Sequence, residues 1–117
     1  MFDYSAAVAS VTDGDTVKLT VDLGFHVYVT ESFRLAGINA PEKDTDAGMA
    51  SKHWLMAKLP PGTVVYIRSE KAVKQEKYGR WMCNLWLSED AQSTSLNAQL
   101  VQAGLAKPWD GKGARPV

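Results

Sequence analysis

The order of hydropathy patterns along this chain predicts a β-rich α+β fold, a five-stranded OB-fold barrel carrying two helices. Two observations predict it. Period-two alternation or β-branched runs recur in five short segments, and two segments with helix caps interrupt them, one between the third and fourth strands and one after the fifth.

Each element has its own signal. Val17, Leu19 and Val21 alternate with Thr16, Lys18, Thr20 and Asp22, as in a half-buried strand. Asp22-Leu23-Gly24 offers a turn, after which Phe25, Val27 and Val29 resume the alternation as a hairpin partner. A third extended run, Ser32 to Ile38, stops at Asn39-Ala40-Pro41, because proline disfavours helix before it and donates nothing to a ladder. Residues 47–59 read as a helix, with Asp44, Thr45 or Asp46 as cap, Ala47, Ala50, Trp54 and Ala57 near one face, and Pro60-Pro61-Gly62 as its stop. Thr63 to Arg68 and Gly79 to Leu87 complete the five strands, which are expected to pair antiparallel. Thr94 or Ser95 caps a second helix that Gly104 closes, and Pro108 to Val117 is expected to pack loosely.

The chain has 117 residues, enough for one domain and its core. The single cysteine, Cys83, excludes an internal disulfide, and two distant histidines, His26 and His53, offer no zinc spacing. No apolar stretch approaches the ~20 residues of a membrane span, and Met1-Phe2-Asp3-Tyr4 lacks the basic opening of a signal peptide, so a cytoplasmic location is expected, with a mature secreted form as the alternative. The balanced charge of 13 basic and 13 acidic residues hides a split. Residues 1–46 carry a net charge of −5 and residues 47–117 a net charge of +5. Such a split suits an acidic patch for a cation and a basic patch for phosphate, or simply solvated loops.

Several side chains fit phosphodiester chemistry. Arg34 and Arg80 are planar, permanent cations that bind phosphate oxygens bidentately. Glu42 follows the rigid Pro41; a carboxylate held near two arginines stays ionised and can take a proton from water. Asp15, Asn39 and a backbone carbonyl such as that of Ala40 supply hard oxygens of the kind Ca²⁺ prefers. Plainer roles exist for each: Asp13-Gly14-Asp15-Thr16 as a turn in which glycine supplies a positive φ, and Arg34 as a surface strand residue.

The strings Val11-Thr12-Asp13-Gly14-Asp15-Thr16, Phe33-Arg34-Leu35-Ala36-Gly37-Ile38-Asn39-Ala40-Pro41-Glu42 and Lys77-Tyr78-Gly79-Arg80, followed by Leu96-Asn97 and Gly104-Leu105-Ala106-Lys107, together resemble the staphylococcal nuclease family. They run in order over nearly the whole chain, and the Val21-Asp22-Leu23-Gly24-Phe25 hairpin is similar to the short, bacteriophage-type members. The resemblance implies Ca²⁺-dependent cleavage of DNA and RNA to 3′-phosphate ends, with single-stranded nucleic acid as the favoured partner. It places Asp15, Asn39 and the Ala40 carbonyl at metal-ligand positions, and Arg34, Glu42 and Arg80 at catalytic ones. Lys77 and Tyr78 match a nucleotide-contacting loop, and Trp109 follows Lys107-Pro108 where the family places a ring near substrate.

Two departures accompany the resemblance. Asn39 stands where most members carry aspartate, which removes one charge from the ligand set. The sequence also ends soon after Trp109, where longer members continue into a third helix; a monomer or weak dimer is expected, with one side of the barrel open or left to a partner. The alternative function is a non-catalytic OB-fold module that binds single-stranded nucleic acid or a protein.

Overall fold

The computed structural model describes residues 3–69, 81–89 and 93–109. Five strands close a barrel: β1 (Tyr4–Asp13), β2 (Thr16–Asp22), β3 (Tyr28–Leu35), β5 (Val64–Ser69) and β6 (Trp81–Trp86). Around the barrel they run β1-β2-β3-β6-β5, with β5 returning to β1. Two short strands, β4 (Ile38–Asn39) and β7 (Lys107–Pro108), form a separate ladder. Helix α1 (Asp46–Lys58) lies between β4 and β5 in sequence, and α2 (Leu96–Gln102) follows β6. No helix among the described residues is long and apolar enough to cross a membrane.

The five-stranded barrel with two helices is the expected architecture, but its strands are drawn differently. The runs beginning at Phe25 and at Ser32 are one strand, β3, paired with β2 from Thr16↔Arg34 to Asp22↔Tyr28. The fifth strand is β1, which the alternation pattern hides. Its register with β2 shifts between Val8 and Ser10 and again between Val11 and Asp13, and each bulge breaks the period of two. Those bends let one strand pair with β2 along its length and with β5 through Tyr4–Ala7. The expectation of wholly antiparallel pairing fails at one seam: β3 and β6 run parallel, Phe33↔Trp81 to Leu35↔Cys83. The long connection through α1 and β5 permits this, whereas a short hairpin forces antiparallel neighbours.

The β2–β3 turn is wider than Asp22-Leu23-Gly24. Gly24, Phe25 and His26 all adopt positive φ, so the strand resumes only at Tyr28 and Phe25 projects into solvent, 98% exposed. The Gly24 N–H donates to Asp22 Oδ1 at 2.8 Å, which starts the reversal.

The barrel interior holds Val17, Leu19, Phe33, Leu35, Val65, Ile67, Cys83 and Leu85, with Leu55 and Leu59 from the α1 region and Leu96 and Leu100 from α2 in the same core. Thr45 caps α1 by accepting from the Gly48 N–H, and Ser95 caps α2 by accepting from the Ala98 N–H. The buried face of α1 is Gly48, Ser51 and Leu55, whereas Ala47, Ala50 and Ala57 are exposed and Trp54 is half-buried. Small residues decide this choice, because the helix sits too close to the chain below it for larger side chains. A Cβ on Gly48 would run into the Glu42 carbonyl, and Ser51 packs against Gly14.

Candidate functional site

The site begins at the β1–β2 turn. Gly14 has no positive φ; its reason is close approach, since an added Cβ would lie 2.6 Å from Ser51 Cβ and 3.1 Å from Ala40 Cβ. This packing brings Asp15 against the chain that leaves β4. The Ala40 N–H donates to Asp15 Oδ2 at 2.9 Å, and the Thr16 hydroxyl donates to Oδ1 at 3.2 Å. The Leu35 N–H donates to the Asp15 carbonyl at 2.8 Å, which ties the turn to the end of β3.

Arg34 arrives on β3 opposite Thr16, and its side chain is buried with that of Asp15. Nη1 donates to Asp15 Oδ2 at 3.3 Å. Nη2 donates to the Ile38 carbonyl at 3.0 Å and to Asn39 Oδ1 at 3.1 Å. The guanidinium also lies 5.4 Å from the centre of the Trp109 ring, within cation–π range. Trp109 is placed there by the β4–β7 ladder, Asn39↔Lys107 and Ile38↔Pro108, and by its own N–H donating to the Gly37 carbonyl at 2.9 Å. Pro108 and Trp109 are therefore pinned, contrary to the loose tail expected from residue 108 onward; residues 110–117 lie outside the described residues.

Of the residues expected to act together, the structure unites Asp15, Arg34, Asn39, Ala40 and Trp109. Ala40 joins through its N–H to Asp15. The chain then surfaces: Pro41 and Glu42 are exposed, and the Glu42 carbonyl accepts from the Thr45 hydroxyl at 2.7 Å at the entrance to α1. Arg80, Lys77 and Tyr78 lie outside the described residues. Among the described residues, no group of three or more His, Cys, Asp or Glu side chains gathers as a metal cluster.

One supporting residue, quoted in the resemblance through Leu96-Asn97, carries a role that the sequence alone does not assign. Asn97, near the start of α2, is buried beneath the β3–β6 seam. Its Nδ2 donates to the carbonyls of Ala36 at 2.9 Å and Cys83 at 3.1 Å, and its Oδ1 accepts the Leu85 N–H at 3.1 Å. The Ala36 N–H donates to the same Cys83 carbonyl at 2.8 Å. One carboxamide thus holds the segment just after Arg34 against β6. The available signal was an asparagine directly behind a capping serine and a core leucine, a position where a polar side chain faces inward only if it has buried partners.

Residues 32–113 match the profile of the family described as staphylococcal nuclease homologue. The chain belongs to that family. An uncharacterized protein of Methanocaldococcus jannaschii is 25% identical over 128 residues, an alignment covering 91% of this chain and 59% of that protein. Endonuclease Htp3 of Saprolegnia parasitica is 27% identical over 123 residues, covering 92% of this chain and 56% of that protein. The chain thus spans little more than half the length of these relatives. Within the staphylococcal nuclease homologue match fall Arg34, Asn39, Ala40, Glu42 and Trp109, whereas Asp15 precedes it and enters the site through the barrel's geometry.

Proposed function

We propose that this domain is a Ca²⁺-dependent nuclease that hydrolyses phosphodiester bonds of DNA and RNA to 3′-phosphate ends. Family membership supports a nuclease in general, as does the likeness to a protein named as an endonuclease. The observation that carries the proposal is the buried Arg34 guanidinium held beside the Asp15 carboxylate and the Asn39 amide oxygen, under the Trp109 ring. A permanent cation and hard anionic or dipolar oxygens in one place are what a phosphate-cleaving site requires.

The donor set fits Ca²⁺ in kind, since Asp15 and Asn39 contribute only oxygens, although a single carboxylate makes the site low in charge. Asp15, Asn39 and the Ala40 carbonyl would hold the ion, and when bound it would neutralise charge on the phosphate. Arg34 and Arg80 grip the phosphate oxygens and stabilise the charge that builds as phosphorus becomes five-coordinate. Glu42 stands at the exposed loop after Pro41 and takes a proton from the attacking water. The new bond joins the water oxygen to phosphorus, and the bond to the 5′-oxygen breaks. That oxygen takes a proton from solvent, leaving a 5′-hydroxyl and a 3′-phosphate. Lys77, Tyr78 and Trp109 hold the nucleotide, and an unpaired strand enters more readily than a duplex because its bases can stack.

One feature favours the non-catalytic alternative: Arg34 already donates to three protein acceptors, as a structural arginine does. A single experiment separates the two. The protein is incubated with single-stranded DNA and with RNA, in millimolar Ca²⁺ or chelator, and the ends are identified. Ca²⁺-dependent cleavage to 3′-phosphates supports the nuclease; binding of single strands without cleavage establishes the binding module.

A further inference from the structure

We propose that Arg34 is the built-in counter-ion of the cation site: with no cation bound, its guanidinium occupies the side-chain oxygens a Ca²⁺ ion would need, and it leaves them for phosphate when cation and phosphate arrive together. The proposal rests on Asp15 and Asn39 being the oxygens of a cation site, and it adds a self-blocking resting state to that site.

The geometry points to competition rather than simple proximity. Arg34 contacts both candidate oxygen ligands at once, Nη1 to Asp15 Oδ2 at 3.3 Å and Nη2 to Asn39 Oδ1 at 3.1 Å. Asp15 Oδ2 also accepts the Ala40 N–H, and Oδ1 accepts the Thr16 hydroxyl, so both carboxylate oxygens are engaged. The Asp15–Arg34 pair is neutral and buried, and Asn39 adds no charge. A divalent ion entering here meets a positive charge already in contact with the one carboxylate, and repulsion is weakly screened inside the protein.

The same geometry makes Arg34 replaceable. Its contact with Asp15 is single and long, whereas a forked arginine–carboxylate or arginine–phosphate pair makes two contacts at about 2.7–2.9 Å. A phosphate therefore offers Arg34 better partners than Asp15 and Asn39 do. The Trp109 ring lies against the guanidinium and keeps the cation near the site while its partners exchange. Cation binding frees Arg34 for phosphate, and phosphate binding frees the oxygens for the cation, so each ligand strengthens the other by the same factor.

The test is a calorimetric Ca²⁺ titration of wild type and Arg34→Gln, both verified as folded by circular dichroism. Without phosphate, Arg34→Gln is expected to bind Ca²⁺ about tenfold or more tightly than wild type, because the competing charge is gone. A deoxynucleoside monophosphate should tighten Ca²⁺ binding to wild type and have much less effect on Arg34→Gln. Should Arg34→Gln not fold, the Arg34 Nε resonance of ¹⁵N-labelled wild type is followed instead and should shift as Ca²⁺ and nucleotide saturate. Equal or weaker Ca²⁺ binding by Arg34→Gln overturns the proposal, as does an unmoved Arg34 resonance, or no Ca²⁺ binding by either protein. Cleavage of single-stranded DNA by wild type is scored separately. Active enzyme with unchanged Ca²⁺ affinity in Arg34→Gln removes the counter-ion and keeps the nuclease; tighter binding without cleavage does the reverse.

Discussion

Asp15 and Arg34 sit at the same end of the antiparallel β2–β3 pairing, Asp15 just before β2 and Arg34 near the end of β3, and meet as a buried ion pair, Oδ2 to Nη1 at 3.3 Å, each residue 6% exposed. Each is the other's neutralising charge in a region with little access to water. Removing one partner strands the other, a change that costs roughly 3–5 kcal/mol for a fully enclosed pair. Here the Ala40 N–H and Thr16 hydroxyl still serve Asp15, so the loss is smaller. Arg34→Gln and Asp15→Asn should each lose about 2 kcal/mol, and the double variant should lose clearly less than their sum. Urea unfolding of the four proteins measures this; strict additivity would show that the pair is uncoupled.

The Asn39 substitution predicts a change in metal requirement. Asn39→Asp adds a second carboxylate beside Asp15, and ligand charge count governs Ca²⁺ affinity. The Ca²⁺ concentration for half-maximal cleavage should fall, while turnover at saturating Ca²⁺ changes little because Arg34 and Glu42 are retained. A lowered plateau with an unchanged midpoint would contradict the assignment of Asn39 as a ligand.

For Arg34 itself, Arg34→Ala should lower cleavage at saturating Ca²⁺ by ~10²-fold or more, the usual effect of losing a donor aimed at developing charge. Steady-state rates on single-stranded DNA, with circular dichroism to confirm folding, decide it. A folded variant at wild-type rate would leave Arg34 a structural residue.

Asn97 predicts a loss of stability. Asn97→Ala leaves the Ala36 and Cys83 carbonyls and the Leu85 N–H without their side-chain partner. A buried polar group left without a partner costs about 1–3 kcal/mol, and the Cys83 carbonyl keeps its bond from Ala36, so a total near 3 kcal/mol is expected. Thermal unfolding should drop by roughly 10 °C. Asn97→Asp retains the acceptor for Leu85 but loses both donated bonds, and it should not restore the midpoint.

The Gly48 position predicts an effect through the backbone. Gly48→Ala forces a methyl group toward the Glu42 carbonyl, so α1 or the loop must move, at a cost of about 1–3 kcal/mol. Because Glu42 rides on that loop, cleavage should fall further than stability alone explains. Comparing rates well below the melting temperature separates the two effects.

The barrel, both caps and the composition of the site were legible because each rests on local pattern: alternation in Thr16–Asp22, Thr45 and Ser95 ahead of helices, and arginine, carboxylate and amide within short strings. Strand β1 was not legible, since its two bulges scramble the period and its alanines and serines carry little β preference. Apolarity points to the wrong face of α1, because close approach selects Gly48 and Ser51 for burial in place of the alanines. The ties made by Asn97 depend on which carbonyls lie within reach, and that is decided by the parallel β3–β6 seam, a non-local fact.

The pairing of β1 with both β2 and β5 has a consequence for where this domain begins. The family match starts at residue 32, inside β3, so a border drawn from similarity cuts through the cylinder. A fragment beginning there would lack its two opening strands and Asp15. The edges of β3 and β5 would then be bare ladders of amide and carbonyl groups, the kind of surface on which chains stack into insoluble sheets. The smallest autonomous unit therefore reaches back at least to Tyr4, and β1 has no second neighbour until Val64–Ser69 has been made.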